Sequence, residues 1–316
     1  MIRYLTVRIL WLFVVSWVIL TTLFFSLNIG MWRFWFSAQP FSLVLQSTWQ
    51  YYLRYFSQIF QSWHWGTTRF GVDVWSLMAE RAGISLRINL ITLVIYVVLS
   101  VVLGYLAARH HHRFIDRLIT VGTLIFSSIP NYLVIWFLIF FFGYQWELLP
   151  PQPHGVEGTF WGDILILIIP VTSLALYPLG KLTAMFRGEF LSAKRQHYSV
   201  LLKVKGLTSS QMARRHWFKD ALVPILSEIP NTFVFVMSSS FLIERYYNIH
   251  GVTWLLFDSL FAPFGEAYGL AVDLPLAMAA SSFYIFLSLG LVLIIDLVSA
   301  WLDPRIRMFQ KDRVIS

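Results

Sequence analysis

Residues 276–302 read LAMAASSFYIFLSLGLVLIIDLVSAWL, a run that contains one aspartate and neither lysine nor arginine. A bilayer core needs about 20 consecutive apolar residues per helix, so this run predicts a membrane-spanning helix. Five further runs of similar character precede it, at residues 9–29, 84–108, 118–142, 164–182 and 222–242. The sequence therefore predicts an all-α polytopic membrane protein with six transmembrane helices.

The composition excludes whole classes of protein. Hydrophobic residues make up 58% of the 316 residues and charged residues only 13%, which is too few to cover the surface of a water-soluble enzyme. The chain has no cysteine, so disulfides, thiolate metal sites and cysteine nucleophiles are excluded. The first apolar run lacks a small-residue cleavage site, and we interpret it as a retained anchor.

The basic residues give an orientation. With the N-terminus inside, 18 of the 24 lysines and arginines lie on cytoplasmic segments, as the positive-inside rule expects. Both termini are then cytoplasmic, and the outer segments keep only Arg33, Arg54, Arg69, Arg81, Arg87 and Arg245. This distribution explains the net charge of +8 without a basic face for nucleic acid, so nucleic-acid binding is discarded.

The predicted spans divide the chain into three parts. Residues 1–30 form a cytoplasmic N-terminus and the first helix, 31–83 an extracytoplasmic segment, and 84–316 a core of five helices that includes a cytoplasmic loop at 183–221. The outer segment is rich in aromatic residues, which fit either ordinary packing or a helix at the level of the headgroups. We favour packing for this cluster, namely Trp49, Tyr51, Tyr52, Tyr55, Phe56, Trp63 and Trp65.

The cytoplasmic loop is the most charged part of the chain, and glycine divides it. Gly206 is placed to end a helix in the left-handed conformation. Thr208 and Gln211 have the spacing of a capping box. A second short helix is expected from Ser209 toward Lys219, before Pro224 opens the next span.

Apolar and basic residues alternate around that glycine, which indicates a protruding amphipathic knob. Its predicted apolar members are Leu201, Leu202, Val204, Leu207 and Met212. Such a knob fits the groove of a partner protein. The alternative is a basic amphipathic segment that lies on anionic membrane lipid.

Three short motifs in this loop carry a resemblance. Lys205-Gly206-Leu207, Arg215-His216 and Ala221-Leu222-Val223-Pro224 resemble the EAA loop of the integral membrane subunits of ABC importers. Other motifs, in the same order along most of the chain, are similar to the B-type subunits of the oligopeptide/dipeptide and nickel permease family. They are Ile2-Arg3-Tyr4-Leu5, Trp65-Gly66, Leu103-Gly104-Tyr105, Asp116-Arg117, Ser128-Ile129-Pro130, Leu148-Leu149-Pro150 and Leu302-Asp303-Pro304-Arg305-Ile306-Arg307.

The resemblance implies the type I ABC importer permease fold and import of short peptides across a bacterial or archaeal plasma membrane. The implied partners are a homologous second permease, two cytoplasmic ATPases and an extracytoplasmic binding protein. This chain would bind no cofactor, and ATP and magnesium would bind the ATPases. The loop would be the coupling element, with Lys203, Lys205, Gly206, Leu207, Arg215, His216, Ala221 and Pro224 as its residues.

The chain departs from the family pattern at several positions. The family has an acidic residue and small alanines before the glycine, where this sequence has His197, Leu201, Leu202 and Val204. Either the partner groove is wider or the pairing is specialised. His250 replaces a proline of the outer motif. Since related permeases carry nickel or metal chelates, that cargo is the alternative to peptides.

Polar residues in the spans are candidates for the translocation pathway, because a peptide that crosses the membrane needs polar partners in a water-filled cavity. Serines also serve close helix packing, so a packing role stays open for each of them. Glu244 stands at the outer end of the fifth span, where it either lines the mouth of the pathway or pairs locally. The candidates are Asn131, Asn231, Ser238, Ser239, Ser240 and Glu244.

Two further motifs do not meet the requirements of the chemistry that they suggest. Gly180-Lys181 lacks the remaining residues of a P-loop, so the chain is expected to be no ATPase. The run 110–112, three histidines, fits a polar connection better than a metal site, and no metal is expected.

Two acidic residues within the spans need an explanation. We expect Glu228 to pair with Lys219 or with a cation of a neighbouring subunit, and Asp296 to serve helix packing. An intramembrane enzyme built on these two acids is a remote alternative. A membrane scaffold that uses the loop only to recruit a partner is another.

Overall fold

The computed structural model describes residues 2–35, 40–153, 158–261 and 272–302. The predicted C-terminal motif Asp303-Pro304-Arg305-Ile306-Arg307 lies outside the described residues. The helices are α1 (Ile2–Trp35), α2 (Phe41–Ser62), α3 (Val74–Arg109), α4 (Phe114–Ser128), α5 (Asn131–Leu138), α6 (Phe160–Arg195), α7 (His197–Val204), α8 (Ser209–Met212), α9 (Phe218–Tyr246), α10 (Val252–Phe261) and α11 (Leu274–Leu302). Two π-helical segments follow α5 and α8, at Ile139–Gln145 and Ala213–Trp217.

The described part of the chain has the helices that a multi-pass membrane protein requires. Five of them are long and apolar enough to cross a bilayer, namely Thr6–Met31, Val74–Arg109, Phe160–Arg195, Ser209–Tyr246 and Leu274–Trp301. A sixth span is counted if the pair Phe114–Ser128 and Asn131–Gln145 crosses as one. The prediction of an all-α membrane protein is confirmed.

The third predicted span is not one straight helix. Its two halves meet at an angle of 101°. The break lies at Ile129, which is extended (φ −92°, ψ 123°), and at Pro130, which precedes the first turn of α5. Proline disfavours the helical conformation in the residue before it, so the chain leaves α4 there and starts a new helix.

The fourth and fifth spans are longer than predicted, which shortens the loop between them. α6 runs to Arg195 instead of ending near Leu182, because its extension has its own buried face at Phe186, Phe190 and Leu191. Ala184, Gly188 and Lys194 of the extension are exposed on its other side. On the other flank, residues from Ser209 to Tyr246 form one continuous helical stretch.

Pro224 lies inside this stretch and does not open a span, so that prediction is wrong. An interior proline costs about 3 kcal/mol in an isolated helix. The buried face formed by Ala221, Ile225 and Ile229 offsets this cost.

The chain forms two compact units. The first comprises Met1–Arg87 with Asn248–Gly290. In it α1 and α2 form an antiparallel hairpin, since Thr48 Oγ1 donates to Asn28 Oδ1 (2.8 Å) and the hydroxyls of Tyr52 and Thr21 are 3.0 Å apart. Tyr52, Tyr55 and Phe56 are core residues of this unit, which confirms the packing interpretation for them, whereas Trp49, Tyr51 and Trp63 are exposed.

The second unit comprises Ile88–Tyr247 with Leu291–Ser316. α6 is its central helix and contacts α4, α5 and α9. Gly104 of α3 lies against α6, because a Cβ there would stand 2.9 Å from the Thr183 carbonyl oxygen. The Tyr96 hydroxyl lies 3.2 Å from Thr232 Oγ1 of α9. This unit contains the whole of the predicted cytoplasmic loop.

Candidate functional site

The short helix α7 lies between the ends of the two longest helices of the second unit. Gln196 is extended (φ −61°, ψ 146°) and separates α6 from α7. After α7 the chain turns through Gly206 and enters α8, which continues into α9. α7 is therefore joined directly to α6 at one end and by one tight turn to the α8–α9 stretch at the other.

A chain of hydrogen bonds anchors α7 from within. The indole Nε1 of the buried Trp217 donates to Ser199 Oγ (2.9 Å), and Ser199 Oγ donates to the Ala193 carbonyl (3.1 Å). The first bond reaches α7 from the π-helical segment and the second ties it to α6. Because buried polar groups are costly to leave unpaired, these two hydrogen bonds fix α7 against α6 and the π-helical segment.

A second anchor lies nearer the surface. The Tyr198 hydroxyl donates to Asp220 Oδ2 at 2.5 Å. Burial and this hydrogen bond raise the pKa of the Tyr198 phenol above its usual value, so the hydroxyl keeps its proton and stays a donor. Tyr198 and Asp220 thus hold α7 to the start of α9.

The turn after α7 has the predicted local chemistry. Gly206 has φ +81°, its N–H donates to the Lys203 carbonyl (2.9 Å), and the Leu207 N–H donates to the Leu202 carbonyl (3.2 Å). These two bonds form a Schellman motif. Thr208 and Gln211 form the capping box in both directions, at 2.9 and 3.3 Å, and both predictions are confirmed.

The anchored helix presents an apolar surface to the outside. Leu201 is 64% exposed and Val204 is 81% exposed, and Val200 lies beside them. We call these three residues the α7 ridge. Lys203 and Lys205 flank it and are also exposed. An exposed apolar patch bordered by cations is typical of a binding surface.

The predicted knob differs in membership from the α7 ridge. Met212 is almost fully buried, because the capping box turns α8 so that this side chain faces the core. Leu202 and Leu207 are half-buried. The prediction that Met212 belongs to the protruding surface is wrong, while Leu201 and Val204 lie where it placed them.

The remaining coupling candidates are spread over two environments. Gly206 and Arg215 are exposed, and Leu207 and His216 are half-buried. Arg215 and His216 stand in the π-helical segment Ala213–Trp217, a geometry that occurs frequently at functional sites. Ala221 is fully buried and Pro224 lies inside α9, so Ala221 supports the site from within the core.

An ion pair that the sequence did not indicate ties the first turn of α4 to α6. Arg187 Nε and Nη2 donate to Asp116 Oδ1 and Oδ2, at 2.5 and 2.9 Å. The His112 N–H donates to Asp116 Oδ2 (2.9 Å), and His111 Nδ1 lies 3.1 Å from the same atom. Two of the three histidines therefore have a structural role around this carboxylate.

The six pathway candidates divide by accessibility. Asn131, Ser240 and Glu244 are buried within this chain, and Ser240 Oγ donates to Glu244 Oε1 (3.3 Å). Asn231 and Ser238 are exposed on α9 and Ser239 is half-buried. The structure thus brings Asn231 and Ser238 to one surface and separates them from the buried three. Their assignment to a pathway stays a prediction.

Glu228 has a different partner from the one predicted. Lys181 Nζ donates to Glu228 Oε1 at 2.6 Å, so the pairing with Lys219 is wrong. Lys219 precedes Glu228 on the same helix by two and a half turns, whereas α6 brings Lys181 alongside. Among the described residues, the two carboxylate oxygens of Glu228 accept hydrogen bonds from Lys181 and Asn231.

Comparison with known proteins gives a consistent picture. The family model described as "Binding-protein-dependent transport system inner membrane component" matches residues 100–308. The chain is 24% identical over 262 residues to the dipeptide transport system permease protein of Lactococcus lactis, which covers 82% of this chain and 81% of that one.

Two further relatives are also named as permease proteins for peptides. A probable peptide ABC transporter permease protein of Sinorhizobium fredii is 27% identical over 75% of this chain and 73% of its own length. The oligopeptide transport system permease protein of Haemophilus influenzae is 23% identical over 73% of this chain and 71% of its own length. The stretch matched by the family model contains α7 and both of its anchors.

Proposed function

The chain belongs to the family of binding-protein-dependent transport system inner membrane components, and from that premise we propose that it is a permease subunit of an ATP-driven importer of short peptides. In this role it forms half of a translocation pathway. The chain itself hydrolyses no ATP. When the partner ATPases close, it changes the side of the membrane to which the pathway is open.

The α7 ridge is the observation that carries the proposal. It is apolar and exposed, yet it is held from behind by the Trp217–Ser199 and Tyr198–Asp220 hydrogen bonds. A surface patch that only contacted solvent would need no such anchoring. We infer that the ridge enters a groove of a cytoplasmic ATPase and passes its movement to α6 and α9.

The cargo follows from the relatives. The three proteins compared above are named for dipeptides, peptides and oligopeptides, and this supports a peptide over nickel or a metal chelate. Exposed Asn231 and Ser238, with Ser239 beside them, are the residues we assign to the wall of the pathway. Asn131, Ser240 and Glu244 support that wall from the interior.

The proposal includes a set of partners and an orientation. The partners are a second permease, two ATPases that bind ATP and magnesium, and an extracytoplasmic binding protein. The chain lies in a bacterial or archaeal plasma membrane with both termini in the cytoplasm. The bias of lysine and arginine toward the predicted inner segments supports this orientation.

The test is purification of the tagged chain in mild detergent from its native host, followed by mass spectrometry and by transport in proteoliposomes. We expect two ATPases and a second permease to copurify, and labelled dipeptide to accumulate only with ATP and the binding protein. Recovery of the chain alone would favour a scaffold. Recovery of the full complex without peptide uptake would refute the cargo and leave the transporter standing.

The Gly206 turn gives a first prediction. An alanine at Gly206 meets no atom within 4 Å but must adopt φ +81°, which costs about 1–2 kcal/mol. We expect Gly206→Ala to weaken capture of the ATPases about tenfold, because the turn relaxes and α7 shifts.

The matched control for this prediction is Gly71→Ala. Gly71 has φ +76° and the same free space around it, but it lies in the first unit. Its replacement carries the same strain and is expected to leave ATPase capture unchanged in a detergent pull-down. Equal capture by both variants would show that the geometry of the Gly206 turn is irrelevant to docking.

A further inference from the structure

Lys181 and Glu228 form an ion pair between two membrane-spanning helices. Lys181 Nζ lies 2.6 Å from Glu228 Oε1, and Asn231 Nδ2 donates to Glu228 Oε2 at 3.3 Å. Lys181 belongs to the candidate span Phe160–Arg195, and the other two belong to Ser209–Tyr246. At 1.5 Å per residue, Lys181 stands about 25 Å and Glu228 about 21 Å from the predicted outer end of the apolar part of its helix, so both lie in the inner part of the membrane.

This ion pair is accessible on the surface of the chain. The Lys181 side chain is 43% exposed and that of Glu228 is 21% exposed. Charged side chains within spans face a water-filled cavity or another protein rather than lipid. The exposed face of the pair therefore marks a side of α6 and α9 that lipid does not cover.

The neighbouring residues continue this face toward the predicted outside. Tyr177 and Phe235 pack against each other with ring centroids 4.2 Å apart, next to the pair. Asn231 and Ser238 are exposed on α9 and lie on the same side of the helix, seven residues apart. A polar strip thus leads along α9 to the charged pair at its inner end.

Glu228 and Lys181 differ in how much of their hydrogen-bonding capacity the described residues use. Both oxygens of Glu228 accept a hydrogen bond, one from Lys181 and one from Asn231. The Lys181 ammonium has three donors, and within the described parts of the chain Glu228 takes one of them. What the cluster can still bind is an acceptor, and a carboxylate is the strongest one that a short peptide carries.

We propose that Lys181, held in place by Glu228 and Asn231, binds the free carboxylate end of the cargo at the inner end of the translocation pathway. This inference rests on the proposed function, since it takes the cargo to be a short peptide. Lys181 is the residue that contacts the cargo, and Glu228 is a positioning residue.

The first test asks what covers the face. The chain has no cysteine, so Asn231→Cys and Ser238→Cys each introduce one thiol. In the assembled transporter in native membranes, we expect a charged, impermeant thiol reagent to label both. The control Val98→Cys, at an exposed apolar position of α3, should stay unlabelled. Labelling of the isolated chain only would show that the second permease covers the face and would overturn the proposal, as would no labelling at all.

The second test asks whether Lys181 recognises the carboxylate. Ala184→Cys places an exposed thiol one turn from Lys181, and inverted vesicles without ATP let a peptide enter from the cytoplasmic side. We expect a dipeptide with a free carboxylate to slow labelling roughly threefold, and its C-terminal amide to have no effect. Lys181→Gln should abolish the protection and Lys181→Arg should keep it.

Three outcomes would each refute the role of Lys181: equal protection by both peptides, no protection by either, or protection that survives Lys181→Gln. If the Lys181–Glu228 pair were only structural, its loss would affect labelling equally with the free dipeptide and with its C-terminal amide. ATP-dependent uptake by the unsubstituted complex is measured in parallel. Its absence would contradict the proposed function, whatever the labelling shows.

Discussion

Replacement of Leu201 and Val204 by aspartate is expected to abolish ATP-driven uptake and to leave the chain folded in the membrane. Both side chains are largely exposed, at 64% and 81%, so their loss removes little from the folded state. In the proposed complex they are buried in the groove of an ATPase. Burial of such a side chain is worth about 1.5–3 kcal/mol, and an unpaired carboxylate placed there adds a further cost.

We expect the double variant to bind the ATPases at least about 100-fold more weakly, as the sum of two such losses implies. The measurement is a pull-down of the ATPases in detergent, combined with ATP-dependent uptake in proteoliposomes. Elution of the variant as a single species on gel filtration would show that folding is intact.

The control is Val72→Asp, which introduces one such carboxylate at an exposed valine on the predicted outer side. It should leave ATPase capture unchanged. If Leu201→Asp/Val204→Asp retained both capture and uptake, the α7 ridge would not be the docking surface. Lost uptake with normal capture would place the ridge in transmission of movement rather than in docking.

The local features of this site could be predicted because they depend on residues close together in the chain. The Schellman turn at Gly206 is closed by bonds to Lys203 and Leu202, and the capping box spans Thr208 to Gln211. Each needs only the conformational freedom of glycine or the short reach of a threonine side chain. The membrane-spanning helices were predictable for a similar reason, since hydropathy is summed over neighbouring residues.

The features that sequence reasoning missed depend on contacts between distant residues. Arg187 meets Asp116 across 71 positions, and Lys181 meets Glu228 across 47. In the sequence, Gly180-Lys181 resembles only a fragment of a P-loop. The sequence does show a lysine, Lys181, at the end of one apolar run and an acid, Glu228, within another. Whether the two side chains meet depends on how each helix is rotated about its axis.

Prolines show the same limit. Pro130 breaks the third span, whereas Pro170 and Pro178 lie inside α6 and Pro224 and Pro230 inside α9. The residue type is identical and the local penalty is similar. The difference lies in burial, because α6 and α9 contact each other extensively and packing offsets the lost hydrogen bonds. A single sequence does not contain that information.

The second large effect is expected at Gly180, where the backbone of α6 lies against that of α4. A Cβ at this position would stand 2.7 Å from the Thr123 carbonyl oxygen and 3.1 Å from the Ser127 backbone nitrogen. Both are main-chain atoms, so α4 itself would have to move. We expect Gly180→Leu to prevent accumulation of folded protein, since overpacking costs about 1–3 kcal/mol even where only side chains must shift.

The matched control is Gly188→Leu on the same helix, where a Cβ meets nothing within 4 Å. It should leave a monodisperse peak in detergent gel filtration and a thermal transition close to that of the unsubstituted protein. Gly180→Ala should give an intermediate result with a lowered transition. A normal peak for Gly180→Leu would show that α4 and α6 separate without cost.

The consequence of Gly180 extends to the Asp116–Arg187 pair. Arg187 follows Gly180 by two helical turns and faces the same neighbour, and Asp116 precedes Thr123 by two turns on α4. Because the helices run in opposite directions, the close approach at Gly180 sets the distance at which the guanidinium meets the carboxylate. In a Gly180→Ala protein that folds, Asp116→Asn should therefore lower the stability by less than it does in the unsubstituted chain. Additive losses of stability in the double variant would refute this coupling.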